Sequence, residues 1–266
     1  MSNLVIKNIY RKLQIFLIPK KIKNNFRRIT QEDRDLLAQK IKNIYIPTIS
    51  NNLQEEKIFS EIQEHLEDRI FIDRVRVIPW LSKNINLNNL NILEIGCGTG
   101  SSSITLAEQG ANVVGIDIHK ESLQIAKYRS KIYDLKIDFL ECSSVDVDKL
   151  ENNFEAIILY ATLEHLTFEE RIITLEKCKK VLDKDGLLIV IEAPNRLWYF
   201  DSHTSELPFF QWLPDDLAYK YSKHSPKKSF SDNYQDENYS NLVSFLRRGR
   251  GVSYHEFELV FENFSE

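Results

Sequence analysis

The sequence predicts an α/β chain: a doubly wound, mostly parallel sheet with an N-terminal helical extension and a lid insertion after strand five. Three observations predict it. From about residue 90 onward, short apolar runs alternate with helical patterns. A glycine-rich turn closes the first of those runs, and an acid closes the second. Near-continuous apolar strands, rather than polar and apolar residues in alternation, mean strands covered on both faces.

The elements are taken in chain order. Residues 1–28 hold eight Lys or Arg and no acid, around an apolar run at 13–18 that Pro19 stops. Such an arm can meet a peripheral membrane or another anionic partner. The simpler reading, preferred here, is a helix whose apolar side packs on the domain and whose charges are solvated. Residues 31–86 read as helical. Thr30, Glu32 and Asp33 suit a helix start, and Pro47 ends that stretch. A second stretch carries Ile58, Phe59, Ile62, Leu66, Ile70 and Ile78 on a recurring face. Beyond an Asn-rich connector at 84–91, strands are expected at 91–95, 113–117, 136–140, 155–160 and 187–193. Helices are expected at 101–109, 120–133 and 168–182. Right-handed crossovers then bring the strand ends to one edge, where ligands bind. The organisation expected is a basic and helical extension at 1–57, a core at 58–194, a lid at 195–252 and a last helix at 253–266.

Composition narrows the function classes. A net charge of -4 exerts no pull toward DNA. Cys97, Cys142 and Cys178 are an odd set without CxxC spacing, which argues against disulfides or a zinc knuckle and suits a reducing cytoplasm. No apolar run approaches the roughly 20 residues that span a bilayer.

The informative segment is Leu93-Glu94-Ile95-Gly96-Cys97-Gly98-Thr99-Gly100. It reads GxGxG rather than the dinucleotide GxGxxG. Glu94 stands two residues before the first glycine, and Asp117 ends the next strand. An acid at that strand end can accept both ribose hydroxyls of an adenosyl group. The loop must then admit a bulky nucleoside and a zwitterionic tail, whose ammonium suits Glu94. An NAD site and a ligand-free turn are the rivals.

Here the sequence resembles the class I S-adenosylmethionine (SAM)-dependent methyltransferases, over roughly residues 58–262. The matching residues are Glu94-x-Gly96-Cys97-Gly98-Thr99-Gly100, Gly115-Ile116-Asp117 and Leu163-Glu164-His165. The resemblance implies a Rossmann-like core and SAM as cofactor. Glu94, Gly96, Cys97, Gly98 and Gly100 would hold its methionyl and adenosyl parts, Asp117 its ribose, and Ile118 would flank the adenine. Where the family often has an adenine-binding acid after strand three, this chain has Cys142-Ser143-Ser144, so Ser143 and Ser144 take that place. Tyr160, ending strand four, completes the set. Some relatives hold a metal at ExxEH here. Ala161 replaces the first glutamate, so no metal is assigned, and His165 is the candidate base or acceptor-orienting group.

After strand five the chain resembles the PNR…H…LP segment of a bacterial subgroup that modifies glycans, lipids or natural products. His203 and Asp201 are its acceptor-side candidates, whereas Trp198 and Trp212 are expected to pack a small subdomain. Arg247-Arg248-Gly249-Arg250-Gly251 reads either as a contact for an anionic acceptor or as a solvated turn. Ser253-Tyr254-His255-Glu256 matches a capping box that opens the last helix. In the resembled family a strand pair comes next, so the chain reads as truncated; failing that, strand five has an open edge inviting another chain or a homo-oligomer. The implied activity is methyl transfer from SAM to an oxygen, less readily a nitrogen, of a small-molecule, natural-product or glycan/lipid-like acceptor. An RNA 2′-O-methyltransferase and a non-catalytic SAM-fold interaction partner are the alternatives.

Overall fold

The computed structural model describes residues 11–49, 54–150, 152–232, 234 and 238–261. They fall into two compact units, Met1–Ser143 and Ser144–Glu266. The division therefore runs inside the 58–194 span read from the sequence. The helical extension joins the first three strands, and the last two strands join the insertion.

The first unit opens with helices. Thr30 starts α1 (Gln31–Lys40) as anticipated, its hydroxyl accepting the Asp33 N–H. The helix runs on through a π-helical turn at Ile41–Tyr45 into Ile46–Ile49. α2 (Glu55–Gln63) leads through two further π-helical turns to α3 (Ile78–Asn84). Leu37, Ile41, Ile46 and Leu66 pack against Ile125, and Ile70 packs against Ile104 and Tyr133. Burying each such aliphatic side chain is worth roughly 1.5–3 kcal/mol. Phe59, placed on the same face by periodicity, is 65% exposed. It comes one residue after Ile58, about 100° round the helix, and so misses the stripe.

Three strands complete this unit: β1 (Asn91–Ile95), β2 (Asn112–Asp117) and β3 (Asp138–Glu141). They are parallel, in the order β3-β2-β1, with Ile95 opposite Ile116 and Asp117 opposite Glu141. The connecting helices are α4 (Ser101–Glu108) and α5 (Lys120–Ile132). This register sets the first glycine of the loop beside the end of β2.

In the second unit β4 (Phe154–Tyr160) and β5 (Leu182–Ile191) pair in parallel. β5 starts five residues before the expected 187, because an irregular register between Phe154 and Ala156 absorbs the turn around Gly186. Between the strands lies α6 (Phe168–Val181), capped by the reciprocal Thr167 and Glu170 pair. The insertion folds around its own core. Phe210 packs edge to face on Phe230 and Phe245, and Tyr219 lies tilted against Phe245, within a shell supplied by α7 (Asp215–Ser222) and α8 (Tyr239–Leu246). This core excludes the two tryptophans: Trp198 is 60% and Trp212 53% exposed, contrary to the packing role expected of them. The capping box read from Ser253 and Glu256 forms and starts α9 (Tyr254–Glu258).

The basic cluster at 247–251 is neither an open contact nor a solvated turn. Arg250 is buried; it donates to Asp215 at 3.1 Å and to the carbonyls of Phe210 and Leu213 at 3.0 and 2.6 Å. Arg247 pairs with Glu170, and Arg248 lies over the Phe230 ring. Arg250 went inward because buried loop carbonyls need donors and a guanidinium offers five. Arg250→Met keeps the bulk and removes the donors, so it should cost roughly 2–3 kcal/mol. Urea unfolding measures this, and an unchanged midpoint would disprove the bracing role.

Candidate functional site

In the first unit the site is built on the loop after β1. Gly96, Gly98 and Gly100 have φ of 76, 51 and 79°, left-handed values that residues with a β-carbon adopt only at a cost. The two later glycines serve different ends. A β-carbon on Gly100 would lie 2.9 Å from Ala126 Cβ and 3.1 Å from Phe139, so this glycine lets α5 and β3 close on the loop. A β-carbon on Gly98 would meet nothing within 4 Å. Gly98 therefore borders open space.

Asp117 adjoins that space. Its Oδ2 accepts the Gly98 N–H and its Oδ1 the His119 N–H, both at 2.8 Å. Each carboxylate oxygen keeps a lone pair for a further donor. The next residue, Ile118, is 60% exposed, an apolar surface at a strand tip. Cys97 contributes backbone only. Its side chain is buried against Leu123, Ala126 and Phe139, and burial pushes the thiol far above its ordinary range.

Glu94 stands behind the loop. It is wholly buried, and the hydroxyls of Ser102 and Ser103 donate to its two oxygens. Burial pushes its carboxyl up to about 7, against the pull of those two hydroxyls. This is a strut between β1 and the first turn of α4, made by the carboxylate that the sequence offered to an ammonium.

Three residues of this wall escaped the sequence reading. Arg129 of α5 is fully buried and donates to the Thr99 carbonyl at 2.8 Å and the His65 carbonyl at 2.6 Å. His65 Nδ1 lies 3.1 Å from the Thr99 hydroxyl, and the Tyr45 ring packs on the imidazole at 4.3 Å. Burial, reinforced by Arg69 and Arg129, holds His65 neutral, with its pKa lowered to about 3. Tyr45 and His65 both sit in π-helical turns, a local irregularity that often marks functional sites. Their one sequence signal was a charged residue at 129, one turn along the buried face that Ala126 marks.

In the second unit the chain leaves β4 at Tyr160, turns through Ala161 at φ 46°, and forms a short 3-10 turn at Leu163–His165. His165 Nδ1 is 2.9 Å from the Arg247 carbonyl. A carbonyl only accepts, so in the neutral ring Nδ1 carries the proton and Nε2 presents a lone pair. His203 is fixed in the same way. The Thr204 hydroxyl donates to the Gly249 carbonyl at 3.0 Å, so at 2.9 Å it accepts from His203 Nδ1. The two imidazoles lie 6.3 Å apart.

Glu164 lies between these groups and the interior. It is fully buried, and among the described residues neither carboxylate oxygen has a hydrogen-bond partner. Oε1 is 3.9 Å from His165 Nε2. Burial pushes the carboxyl up, while its own backbone and the charges of His165, His203 and Arg171 draw it back. Arg171 anchors the surroundings from α6, donating to the carbonyls of Leu166, Arg250 and Gly251 and to the Glu256 carboxylate.

Two candidates turn out to be engaged elsewhere. Asp201 is buried and accepts from the backbone of His203, Thr204 and Ser205 and from the Ser205 hydroxyl. It shapes the loop that carries His203. Ser144 is buried and accepts from Thr174, whereas Ser143 is half-buried. Among the described residues no three His, Cys, Asp or Glu side chains converge on a metal position. No helix there is long and apolar enough to cross a membrane.

Residues 92–186 match the family model of a methyltransferase domain. The match begins in β1, contains the glycine loop, Asp117, Glu164 and His165, and ends in β5. By this match the stretch from β1 to β5 is similar to a methyltransferase domain. Among curated proteins, the chain is 34% identical over 129 residues to the ubiquinone biosynthesis O-methyltransferase of Pelagibacter ubique, covering 48% of this chain and 52% of that one. It is 25% identical over 177 residues to the protein of that name from Rickettsia typhi, covering 65% and 62%. The chain spans about half the length of the first of these relatives. Among solved structures, the magnesium protoporphyrin IX methyltransferase of Synechocystis PCC 6803 with bound SAM aligns at 21% identity. It covers 66% of this chain and 83% of that chain, with a TM-score of 0.44.

The strut has a pH signature. Glu94 binds its proton more tightly in the folded chain, at about 7 against an ordinary 4.5, so its cost to stability grows as pH rises through that window. Glu94→Gln should therefore gain melting temperature relative to wild type between pH 4.5 and 7. A difference that is constant with pH would contradict the buried, proton-holding carboxyl.

Proposed function

We propose that this chain binds SAM on its glycine loop and transfers the methyl group to an oxygen of a small-molecule acceptor. The observation that carries the cofactor half is the open space over Gly98, edged by the Asp117 carboxylate and the exposed Ile118. A nucleoside fits such a place. Asp117 has lone pairs left for two ribose hydroxyls, Ile118 offers an apolar face to a base, and Gly98 admits close approach of the sugar. Gly96, Gly100 and the Cys97 backbone hold the loop open, and Glu94 braces it from behind. Tyr160, Ser143 and Ser144 remain candidates for the rest of the cofactor.

When bound, SAM would supply a sulfonium methyl for in-line attack by an acceptor oxygen, the O–C bond forming as the C–S bond breaks and S-adenosylhomocysteine leaves. The residues of this chain then have one proton to manage. His165 Nε2 presents its lone pair because Nδ1 is committed to the Arg247 carbonyl, so it is the group that takes the acceptor's proton. Glu164, 3.9 Å away, faces the imidazolium that forms and stabilises it. His203 Nε2 offers a second lone pair to another donor group of the acceptor molecule, and Asp201 positions His203 through its loop. Relatives named as O-methyltransferases support oxygen as the methylated atom. The lid role of 195–252, and an acceptor of natural-product or glycan/lipid-like kind, belong to the same proposal.

Two measurements test it. Titrated with S-adenosylhomocysteine, the wild type should bind and Asp117→Ala should lose about 1–3 kcal/mol through the missing charge-assisted hydrogen bonds. Equal affinities would remove Asp117 from the site. With labelled SAM and pooled phenolic and hydroxyl acceptors, His165→Ala should slow methyl transfer about 10²–10⁴-fold while leaving S-adenosylhomocysteine affinity unchanged. A variant as fast as wild type would assign the proton to another group.

A further inference from the structure

We infer that the basic N-terminal arm of the first unit seats the protein on an anionic lipid surface, with Leu13, Phe16 and Leu17 entering the interface. Residues 11–17 are helical, and the arm is strapped to the unit along one side only. Ile18 and Ile22 are buried there at 5% and 7% exposure. Arg11 pairs with Asp68 and lies over the Phe71 ring, Asn25 bonds Gln109, and the Arg27 N–H donates to Glu108. These contacts fix which way the rest of the arm points. At 100° per residue, Arg11, Gln14, Ile15 and Ile18 share the inner face, and Leu13, Phe16 and Leu17 fall opposite. Their exposures of 58%, 77% and 80% agree.

Large apolar side chains held outward on an ordered helix are costly to keep in water, and a packed helix would have buried them. The charges around them select the partner. Lys12, Lys20, Lys21, Arg27 and Arg28 are exposed, and no acid occurs in the first 28 residues. An open groove of about 900 Å³ runs beside this face, lined by Leu17, Lys21, Val75, Pro79, Lys83 and Leu87. It places the Lys21 ammonium and one further, that of Lys83, beside apolar walls. Apolar residues that dip into the acyl boundary, ringed by lysines that meet phosphates, are the two signals that stable peripheral attachment needs. The preferred reading of the sequence, an arm whose apolar side is wholly packed, thus holds for Ile18 and Ile22 and not for the outer triplet.

The test is co-sedimentation of the full chain with phosphatidylcholine vesicles, with and without phosphatidylglycerol. Binding should require the anionic lipid and weaken with salt. Phe16→Ser with Leu17→Ser, and separately Lys20→Glu with Lys21→Glu, should each lower partitioning roughly tenfold or more. All four positions are exposed, and the melting temperature of each variant checks that the fold is kept. Wild type left in the supernatant with anionic vesicles would overturn the proposal. So would a serine pair that sediments like wild type, which would leave a general polyanion site.

Discussion

Everything in the first unit depends on holding five residues, 96–100, in a conformation that three glycines make accessible and none of them makes stable. Fixing backbone costs about 1–2 kcal/mol per residue, and glycine loses the most. The loop is held from three directions. Asp117 takes the Gly98 N–H from the front, the Ile116 carbonyl takes the N–H groups of Gly96 and Cys97 from the side, and Arg129 and His65 grip Thr99 from behind. Glu94 ties the strand before the loop to the helix after it. Asp117 therefore does two things with one carboxylate: it shapes the loop and keeps lone pairs for whatever fills the space above it.

The second unit uses a different device. His165 and His203 each have one ring nitrogen committed to a group that can only accept at that position. Arg247 offers a carbonyl, and Thr204 has already spent its proton on the Gly249 carbonyl. Tautomer is thereby set by backbone geometry, and a basic nitrogen is exposed without a buried cation. Glu164, like the Gln211 amide nitrogen, departs from its otherwise well-paired neighbourhood. Among the described residues its two buried oxygens have no hydrogen-bond partner, which costs stability in the folded chain.

The parallel strands were legible because burial on both faces writes long apolar runs, and every strand was placed to within a few residues except at the start of β5. That start was hidden by the irregular pairing around Gly186, which periodicity does not encode. The glycine loop was legible because spacing alone distinguishes it. What each glycine does was not: Gly100 answers to Ala126 and Phe139, and Gly98 to open space, a distinction made by tertiary contacts. The same limit explains Asp201, Arg250 and the tryptophans. A carboxylate, a guanidinium and an indole in a loop look alike in sequence whether they face a ligand, water or a carbonyl. The cluster of Tyr45, His65 and Arg129 was invisible because its members are 84 residues apart at the extremes and meet only through α5 and the π-helical turns.

Arg250 has one more consequence. It is bonded to Phe210, Leu213 and Asp215, some 35 to 40 residues upstream, while Phe245 and Leu246 share a core with Phe210 and Tyr219. The two ends of the insertion are thus clasped to each other, and the stretch at 223–238 that links them adds Phe230 to the same core. A chain nicked by a protease in that stretch would stay together as two fragments, the clasp standing in for the severed peptide bond. The insertion is in this sense a closed ring made partly of hydrogen bonds.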